Sequence, residues 1–503
     1  MPSQPLHLWN RRPTPAAGSG WTPTVSVVIP HYRSVELLRN TVAGLAQQDY
    51  PLGRMQVIVV DDGSPVPPRP PDLADADLSV DLIHQRRDGF GAGRARNRGA
   101  DAAEGDVLVF LDADVIPSPT FLTQHVALHE SVDYAVAFGE RTHVDIARVD
   151  AETMRQRLRD GHSADDLLAD LPTRTVAWRE AFLRETAHLT TDRARGWRLC
   201  NTGNLSMRRS FFTDVGGFDE RFWGWGGEDI EWAYRALQAG ALLTHHPEAH
   251  GWHQGLEGAT TASERASQAA QARFLASLIA DSEIRAPFGP RLWEVPRVAV
   301  EIAAAAADDG AVEMLVDGLL AELRDVIIAL DDGGRSLRLL RGYASEPRVL
   351  LRPESVPARP EADPRPEQSW WPGLPSAAAA PTQVIIDQPD LMSAHDIGRA
   401  LQRLDTDDPR PVGVRFRAAG GAVAASAWST QMLRRATRCG EDLLAGQIPD
   451  GWPIITETPQ GPPRASIRSA RRRQLPAEVR QLWWRLPSPV RHQLDRLRSG
   501  GPR

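Results

Sequence analysis

Short apolar runs alternate with helical stretches over residues 24–114, and this alternation constrains the fold more than any other feature of the chain. The runs at 25–30 (VSVVIP), 57–60 (VIVV), 80–84 and 107–111 (VLVFL) predict four strands with helices between them. This order predicts a mostly parallel sheet with helices on both faces. Because ligands of such sheets bind beyond the carboxyl ends of the strands, the residues that follow each strand are the first candidates for a site.

Carboxylates follow two of these strands directly. Asp112 and Asp114 come after the fourth strand, which is wholly apolar. Side chains at positions i and i+2 of an extended chain share a face, so both can approach one cation. Hard cations such as Mn²⁺ and Mg²⁺ prefer carboxylate ligands, and Mn²⁺ also accepts histidine. Other Asp-x-Asp pairs in the chain lack a full apolar strand before them, so the sequence predicts a metal site at Asp112 and Asp114.

The second strand and a glycine-rich segment predict contacts to a nucleotide. A carboxylate at Asp61 or Asp62 can accept from a base N–H; the alternative is that it caps the following Gly-Ser turn. The segment 89–97 (GFGAGRARN) places glycines at a helix start, where backbone N–H groups favour anions. It departs from the dinucleotide fingerprint because Arg94 replaces the third glycine. Arg94 or Arg96 can instead meet a phosphate or a base, or simply lie on the surface.

The densest group of candidate residues is the segment 222–232 (FWGWGGEDIEW). Its indole rings can stack on the C–H face of a sugar, and its glycines let the backbone approach a polar ligand closely. These residues are Trp223, Trp225, Gly226 and Gly227. The structural alternative is an aromatic turn capped by acids, but such a turn rarely needs this combination of residues.

Two acids and a histidine complete the candidate site. Glu228 and Asp229 open a predicted helix, where a carboxylate can bind a hydroxyl group and take its proton. Downstream, His253 is the candidate third metal ligand, and His250 is the alternative. The two adjacent acids can exchange roles, because the sequence does not define the phase of the helix that they open.

Composition excludes several other classes. The net charge of −7 gives no support for a nucleic-acid-binding protein. The absence of lysine excludes a Schiff-base or P-loop lysine. Cys200 and Cys439 follow no metal-binding spacing and fit a reducing compartment. Since we find neither an apolar signal segment nor a membrane span, we expect a cytoplasmic protein.

The sequence predicts six regions. They are a disordered N-terminal tail (1–22), the α/β domain (23–257), a mainly helical extension (258–351), a Pro-rich linker (352–382), a small α/β module of unknown function (383–460) and a basic amphipathic tail (461–503). Residues 464–503 carry eleven arginines against Glu478 and Asp495. This tail is a candidate for peripheral contact with the inner face of a membrane or with a protein, and the alternative is a solvated or self-docked helix.

Taken in chain order, these segments resemble family 2 glycosyltransferases with the GT-A fold. The resemblance rests on VSVVIPHYRS, VIVVDDGS, GAGRARNRGA, VLVFLDAD, NTGNLSMRR, GGFDERFWGWGGEDIEW and the later histidine, and it covers about residues 23–257. The WGWGGED element also resembles that of β-1,4-galactosyltransferases and of polymerases that add N-acetylhexosamines. The Gln-x-x-Arg-Trp motif and the membrane spans of processive synthases are missing, which argues against a polymerase that extrudes its product.

The resemblance implies an inverting transferase that uses a UDP-hexose or UDP-N-acetylhexosamine with Mn²⁺ or Mg²⁺. The acceptor is a hydroxyl group of a glycan, a lipid-linked sugar, a peptide or a small molecule. Asp229 then matches the catalytic base and Glu228 helps to hold a sugar, with Asp112, Asp114 and His253 as metal ligands. The donor-binding set is Pro30, Asp61, Asp62, Arg94, Arg96 and Asp112. The alternatives are a catalytically silent nucleotide-sugar-binding protein and a nucleotidyltransferase.

Overall fold

The computed structural model describes residues 21–73, 78–189, 195–256, 261–289, 291, 293–304, 307–331, 342–343, 345–351, 380–406, 413–417, 423–431, 434, 454–457 and 459. Nearly all of the predicted N-terminal tail, most of the Pro-rich linker and the whole basic tail lie outside these residues. The contacts predicted for the basic tail therefore remain predictions.

The first domain is built on a mixed sheet. Its strands are β1 (Val25–His31), β2 (Met55–Asp61), β3 (Val80–His84), β4 (Val107–Leu111), β5 (Val115–Pro117), β6 (Ala135–Val144), β7 (Thr173–Arg174), β8 (Asn204–Arg208) and β9 (Leu242–Gln254). They lie in the order β3-β2-β1-β4-β8-β6-β9-β5, and β7 pairs with β6. Strands β1 to β4 are mutually parallel where they pair, whereas β8 is antiparallel to both β4 and β6. The four strands predicted from the sequence are all present.

Helices cover both faces of this sheet. They are α1 (Val35–Ala46), α2 (Ala92–Asp101), α3 (Phe121–Ser131), α4 (Ala151–Arg159), α5 (Ala164–Leu168), α6 (Ala177–Glu185), α7 (Arg209–Val215), α8 (Glu228–Gln238), α9 (Ala262–Leu278) and α10 (Ser282–Arg285). Alternate residues of β1 face different cores: Val27 packs with Leu38 of α1, whereas Val28 lies in the cluster that contains Trp232 of α8. A strand that is buried on both faces needs a continuous apolar run, as VSVVI provides.

A second sheet follows in the C-terminal half. Its strands are β10 (Val298–Ala303), β11 (Val326–Asp331), β12 (Val349–Leu351), β13 (Thr382–Ile386), β14 (Gly413–Arg417), β15 (Val423–Ser429) and β16 (Ile454–Glu457). They lie in the order β12-β11-β10-β13-β15-β14-β16. Among the described residues of this half of the chain, the helices α11 (Asp309–Glu322) and α12 (Ala394–Thr406) pack on this sheet.

The predicted α/β class is confirmed, and the second domain is larger than the sequence suggested. The helical stretches expected within 258–351 are present as α9 and α11, but β10, β11 and β12 lie between and after them. These strands join the sheet of the module that was expected to begin at 383, since β10 pairs with β13. The segment VAVEIAAAAA is rich in alanine, which favours helix locally. Pairing with β11 and β13 on either side outweighs that preference, because strand formation depends mainly on tertiary neighbours.

In the part of the chain that the structure describes, no helix combines the length and the apolar character that crossing a membrane requires.

Candidate active site

The carboxyl ends of β1, β2 and β4 bring the predicted donor-site residues to one edge of the first sheet. Pro30 and His31 end β1, and they pair in register with Val60 and Asp61 of β2. Asp112 follows the last residue of β4, the strand on the other side of β1. The parallel register therefore places Pro30, Asp61 and Asp112 on three adjacent strands at the edge where ligands of such sheets bind.

Asp61 stabilises the turn after β2. It is 1% exposed, its Oδ1 lies 3.0 Å from Nδ1 of His31, and its Oδ2 accepts from the backbone N–H of Ser64 at 3.1 Å. Burial alone raises the pKa of the Asp61 carboxyl, but the hydrogen bonds from Ser64 and His31 outweigh it and hold the pKa below its ordinary value. The structure therefore favours the turn-capping interpretation for Asp61.

Asp62 connects the end of β2 to the glycine-rich segment. Its carboxylate accepts from Gln85 Nε2 at 2.7 Å, Arg87 NH1 at 2.8 Å, the Gly91 backbone N–H at 3.1 Å and Arg94 NH2 at 3.3 Å. The sequence analysis missed Gln85 and Arg87, because nothing in the sequence around β3 marks them as partners of β2. Among the described hydrogen bonds, Asp62 contacts the glycine-rich segment and Asp61 does not. Asp62 is therefore the acid that lies closer to the predicted anion site.

Gly91 packs directly against this carboxylate. A Cβ atom added at Gly91 meets Oδ1 of Asp62 at 2.1 Å, well inside contact distance. We expect Gly91→Ala to destabilise the fold by about 1–3 kcal/mol, as overpacked substitutions typically do, and to weaken nucleotide binding. Thermal unfolding and UDP titration measure both effects. Gly53→Ala is the matched control, because its added Cβ meets nothing within 4 Å. Equal behaviour of the two variants would contradict the close packing.

A cleft of about 610 Å³ opens beside Asp62. It is lined by Gln85, Arg86, Arg87, Asp88, Arg94, Arg98, Asp101 and Glu220. Arginine provides several N–H donors in a planar fork that matches phosphate oxygens. Arg87 and Arg94 are shared between the cleft and Asp62, so the cleft presents cationic groups to a ligand at the edge of the sheet.

Asp112 is linked to the predicted catalytic acids through Arg96. Its Oδ1 accepts from Arg96 NH2 at 2.9 Å, and its Oδ2 lies 3.4 Å from NH1 of Arg141 on β6. Arg96 is buried, and its NH1 lies 3.5 Å from Oε1 of Glu228. Nε of Arg96 and Oε2 of Glu228 are buried without a hydrogen-bond partner. Buried polar atoms of this kind are costly unless a ligand pairs with them, so they mark the ligand-binding side of this network.

Asp114 and His253 form the second half of the predicted metal site. Nε2 of His253 lies 3.4 Å from Oδ2 of Asp114, and Nδ1 of His253 lies 3.1 Å from the carbonyl oxygen of Gly255. Burial lowers the pKa of His253, but the hydrogen bond and negative charge of Asp114 outweigh burial and raise it. Burial likewise opposes ionisation of Asp114, and His253 and Arg141 reverse that effect, so the pKa of Asp114 is lowered. The pair is therefore held with Nε2 towards the carboxylate.

His250, the alternative metal ligand, has both ring nitrogens engaged elsewhere. Nδ1 lies 3.0 Å from Oγ of Ser118, and Nε2 lies 2.9 Å from Oγ1 of Thr142. A histidine whose two nitrogens are bonded to hydroxyl groups has no lone pair left for a cation. The geometry therefore favours His253 over His250.

The residues present fit a divalent cation in part. Oδ1 of Asp114 is buried without a partner, and carboxylate with imidazole is a donor set that suits Mn²⁺. Among the residues that the structure describes, however, no three His, Cys, Asp or Glu side chains lie together in a metal-binding arrangement. Asp112 faces Arg96 and Arg141 instead of His253. Its participation as a ligand requires that at least one of these arginines moves to another anion.

The aromatic element presents its two indole rings to solvent. Trp223 is 63% exposed and Trp225 is 40% exposed. Gly226 and Gly227 adopt φ values of 91° and 109°, which L side chains rarely reach, so the turn into α8 requires glycine at both positions. The carbonyl oxygen of Trp223 accepts from the backbone N–H of Phe90 at 3.0 Å, which connects this element to the glycine-rich segment.

Gln271 of α9 holds the backbone of this element, and the sequence analysis missed it. Its Oε1 accepts from the Gly224 N–H at 3.2 Å, and its Nε2 donates to the carbonyl oxygens of Trp225 and Gly226 at 3.2 and 3.1 Å. One buried amide thus satisfies three backbone groups of a turn whose side chains point outward. No motif identifies Gln271, because it lies more than 40 residues after the turn that it supports.

Glu228 and Asp229 occupy the first turn of α8, as predicted. Burial and then the negative charge of Asp229 raise the pKa of Glu228 to about 7. Burial also raises the pKa of Asp229, and the backbone N–H of Ile230 and the charge of Arg96 offset part of that effect. Glu228, with a pKa near neutrality, is therefore suited to exchange a proton with a substrate.

The raised pKa of these acids predicts a pH dependence. A carboxyl group with a raised pKa is still protonated at a pH where an ordinary one is ionised, and the protonated form cannot act as a base. We expect kcat/KM to rise with pH above the range in which an ordinary aspartate ionises, because burial raises the pKa of Asp229 as well as that of Glu228. Initial rates between roughly pH 5 and 9 measure this, since kcat/KM reports the ionisation of the free enzyme. A profile that stays flat down to pH ~5 would contradict it.

Comparison with known proteins identifies the first domain. Residues 26–197 match the model for glycosyl transferase family 2, and residues 187–252 match the model for the N-terminal domain of galactosyltransferase. Residues 26–252 are therefore similar to glycosyltransferases, and the match to family 2 covers residues 26–197. The second match contains the whole aromatic element, and α9 with its Gln271 lies beyond both matches. The mixed sheet of this domain agrees with the α/β class that the sequence predicts.

Several characterised glycosyltransferases are similar to the chain. Chondroitin synthase of Escherichia coli is 26% identical over 366 residues, covering 65% of this chain and 49% of that protein. Validoxylamine A glucosyltransferase of Streptomyces hygroscopicus subsp. jinggangensis is 32% identical over 242 residues, covering 46% of this chain and 55% of that protein. A mannosyltransferase of Pyrobaculum calidifontis, in complex with GDP-Man and Mn²⁺, is 18% identical with a TM-score of 0.33, covering 54% of this chain and 66% of that one. The chain thus spans about half the length of the curated relatives it matches.

Proposed function

We propose that the first domain transfers a hexose or N-acetylhexosamine from a UDP-sugar to an acceptor hydroxyl, with inversion at the sugar carbon. The observation that carries this proposal is the network Asp112–Arg96–Glu228. It connects the end of β4, where a diphosphate and its cation bind, to the first turn of α8, where the acceptor is deprotonated. A nucleotidyltransferase needs no paired acids beside exposed indole rings.

The donor occupies the edge formed by β1, β2 and β4. Pro30 and Asp62 border the base, and Asp62 reaches it when Arg87 or Arg94 turns towards the diphosphate. The arginine-lined cleft beside Asp62 provides the positive charge that a nucleoside diphosphate requires. Asp61 supports donor binding indirectly, because it stabilises the turn after β2 that carries Asp62.

Asp114 and His253 would hold a divalent cation, Mn²⁺ or Mg²⁺, and Asp112 would be a further ligand once it no longer pairs with Arg96 or Arg141. When bound, such an ion stabilises the negative charge that grows on the diphosphate leaving group. Arg96 and Arg141 lie beside Asp112 and can transfer their hydrogen bonds to phosphate oxygens at the same stage.

Asp229 takes the proton of the acceptor hydroxyl, and Glu228 binds the sugar. Glu228 is buried and faces Arg96, on the donor side of the network, whereas Asp229 is partly exposed. Trp223 and Trp225 offer a flat apolar platform for the acceptor beside these acids. The two relatives are named for chondroitin and for validoxylamine A, and we propose either a glycan or a small molecule as the acceptor. The cytoplasmic location remains a prediction.

A panel of nucleotide sugars tests the proposal. We expect one or more UDP-sugars, with Mn²⁺, to raise the unfolding temperature of the full chain and to be hydrolysed slowly without an acceptor. Hydrolysis distinguishes a transferase from a catalytically silent binding protein, which shows the thermal shift alone. Release of pyrophosphate from UTP and a sugar phosphate would instead indicate a nucleotidyltransferase. Stabilisation by GDP-sugars but not by UDP-sugars would contradict the proposed donor.

A further inference from the structure

The second sheet repeats the connectivity of the first. In the order β12-β11-β10-β13, the first strand of the domain lies between its second and fourth strands, as in β3-β2-β1-β4. The next neighbour is an antiparallel strand, β15 in one sheet and β8 in the other. Beyond it, β14 pairs in parallel with β16 as β6 pairs with β9. Apart from β5 and β7, which have no counterpart among the described strands of the second sheet, the matching strands follow one another in the same chain order.

The helices follow the same plan. In the first domain, Leu38 and Val42 of α1 pack with Val126 of α3 on the face formed by Val25 and Val27. In the second domain, the helices α11 and α12 have the same positions in chain order. Apolar side chains of both helices cover the corresponding face of β10, which is formed by Val298, Val300 and Ile302. The covering side chains are Val312, Leu315, Val316 and Leu319 of α11 and Ile397, Ala400 and Leu404 of α12. The two domains therefore agree both in strand connectivity and in the face of the sheet that these helices cover.

The agreement extends to the acid that follows the fourth strand. Asp112 comes directly after β4, and its N–H donates to the carbonyl oxygen of Gly203 at 3.2 Å. Asp387 comes directly after β13, and its N–H donates to the carbonyl oxygen of Ala424 at 3.0 Å. Gly203 directly precedes Asn204, the residue of β8 that pairs with the last residue of β4. Ala424 likewise precedes Ala425, the residue of β15 that pairs with the last residue of β13. Asp387 thus has the backbone position of Asp112, and its side chain is exposed.

The sequence shows the same repeat. The second strand leads into Asp-Asp-Gly in both domains, as VIVVDDG at 57–63 and as VIIALDDG at 326–333. Gly-Glu-Asp also recurs between the antiparallel strand and the last strand of each domain, at 227–229 and at 440–442. The second Gly-Glu-Asp and the last two residues of the second Asp-Asp-Gly lie outside the described residues, so the repeat concerns their order along the chain.

We infer that residues 298–457 are a diverged second copy of the transferase domain and hold a second site for a nucleoside diphosphate. This inference rests on the proposed function for the nature of the ligand. Ligands of open α/β sheets bind at the carboxyl ends where the strand order reverses, which in the second sheet is the edge between β10 and β13. Asp387 lies at that edge, so a substitution of Asp387 tests the second site.

The second site binds its ligand without transferring a sugar. Pro389 stands two residues after Asp387, where the first domain has Asp114, so the Asp-x-Asp pair is missing. Strand β16 consists of Ile454, Ile455, Thr456 and Glu457, whereas β9 contains His253. Without this pair and this histidine, binding at the second site does not depend on Mn²⁺. Metal dependence therefore distinguishes the two sites.

Titration of the full chain with UDP, with and without Mn²⁺, tests the inference. We expect about two UDP molecules per chain with Mn²⁺ and about one in EDTA, with each site following simple mass action. Asp387→Asn should lose the metal-independent site, and Asp114→Ala should keep it. Glu322→Ala is the matched control, because Glu322 is an exposed acid at the far end of α11 in the same domain.

The outcomes separate this inference from the proposed function. One UDP per chain that requires Mn²⁺ and disappears in Asp114→Ala overturns the inference and leaves the proposed function standing. One UDP per chain that ignores Mn²⁺ and disappears only in Asp387→Asn supports the inference and contradicts the proposed donor site. If Asp387→Asn unfolds at a lower temperature than Glu322→Ala, its loss of UDP binding reflects instability, and UDP binding by Asp114→Ala tests the inference instead. Loss of all UDP binding in Asp114→Ala overturns the inference.

Discussion

Replacing Asp114 by alanine is expected to reduce sugar transfer by roughly 10²–10⁴-fold, which corresponds to about 3–5 kcal/mol of lost transition-state stabilisation. Asp114 has one buried carboxylate oxygen without a partner and holds the other towards His253, so it is the ligand best placed for a cation. Chelation of the wild-type enzyme with EDTA should produce a loss of the same size, and Mn²⁺ should restore activity. Initial rates with a UDP-sugar and an acceptor measure both effects.

The two candidate histidines provide a matched comparison for this prediction. His253→Ala should raise the Mn²⁺ concentration needed for half-maximal activity, because it removes a ligand. His250→Ala should leave that concentration unchanged, since both nitrogens of His250 bond to hydroxyl groups. Full turnover of the wild type in EDTA, or equal metal requirements in the two variants, would contradict the assigned site.

The sequence located most of the first domain because each prediction needed only local information. An apolar strand followed by acids is a local pattern, and it correctly located β1, β2 and β4 together with Asp61, Asp62 and Asp112. The separate interactions of Asp61 and Asp62 were not predictable in this way. Asp61 turns to His31 of β1, whereas Asp62 turns to Gln85 and the glycine-rich segment, and strand pairing alone determines which neighbours each acid meets.

The partners that come from distant segments were not predictable. Arg141 approaches Asp112 from β6, and Gln271 approaches the aromatic element from α9; neither has a motif around it. The extent of the second domain was missed for a related reason. Its first strand, VAVEIA, is followed by an alanine run that favours helix, and only its pairing with β13, more than 80 residues away, identifies it as the centre of a sheet.

Asp229→Asn is expected to slow transfer by roughly 10²–10⁴-fold, the usual contribution of a general base. Asparagine keeps the shape of the side chain but cannot accept the acceptor's proton. Binding of the UDP-sugar should survive, because Asp62, Asp114 and the arginine-lined cleft lie on other elements of the domain. The expected result is therefore a fall in kcat with a nearly unchanged donor Kd, measured by steady-state kinetics and by titration.

Glu228→Gln should behave differently. Glu228 faces Arg96 on the donor side, so we expect its loss to raise the KM for the sugar while kcat falls less, as happens when an interaction is equal in the ground and transition states. Glu104→Gln, an exposed acid on the loop before β4 and so at the opposite end of that strand from Asp112, should leave both constants unchanged. If Asp229→Asn keeps a near wild-type kcat and Glu228→Gln loses it, Glu228 is the base. Its pKa of about 7 makes that outcome chemically sound, whereas normal transfer by both variants would place the chemistry away from α8.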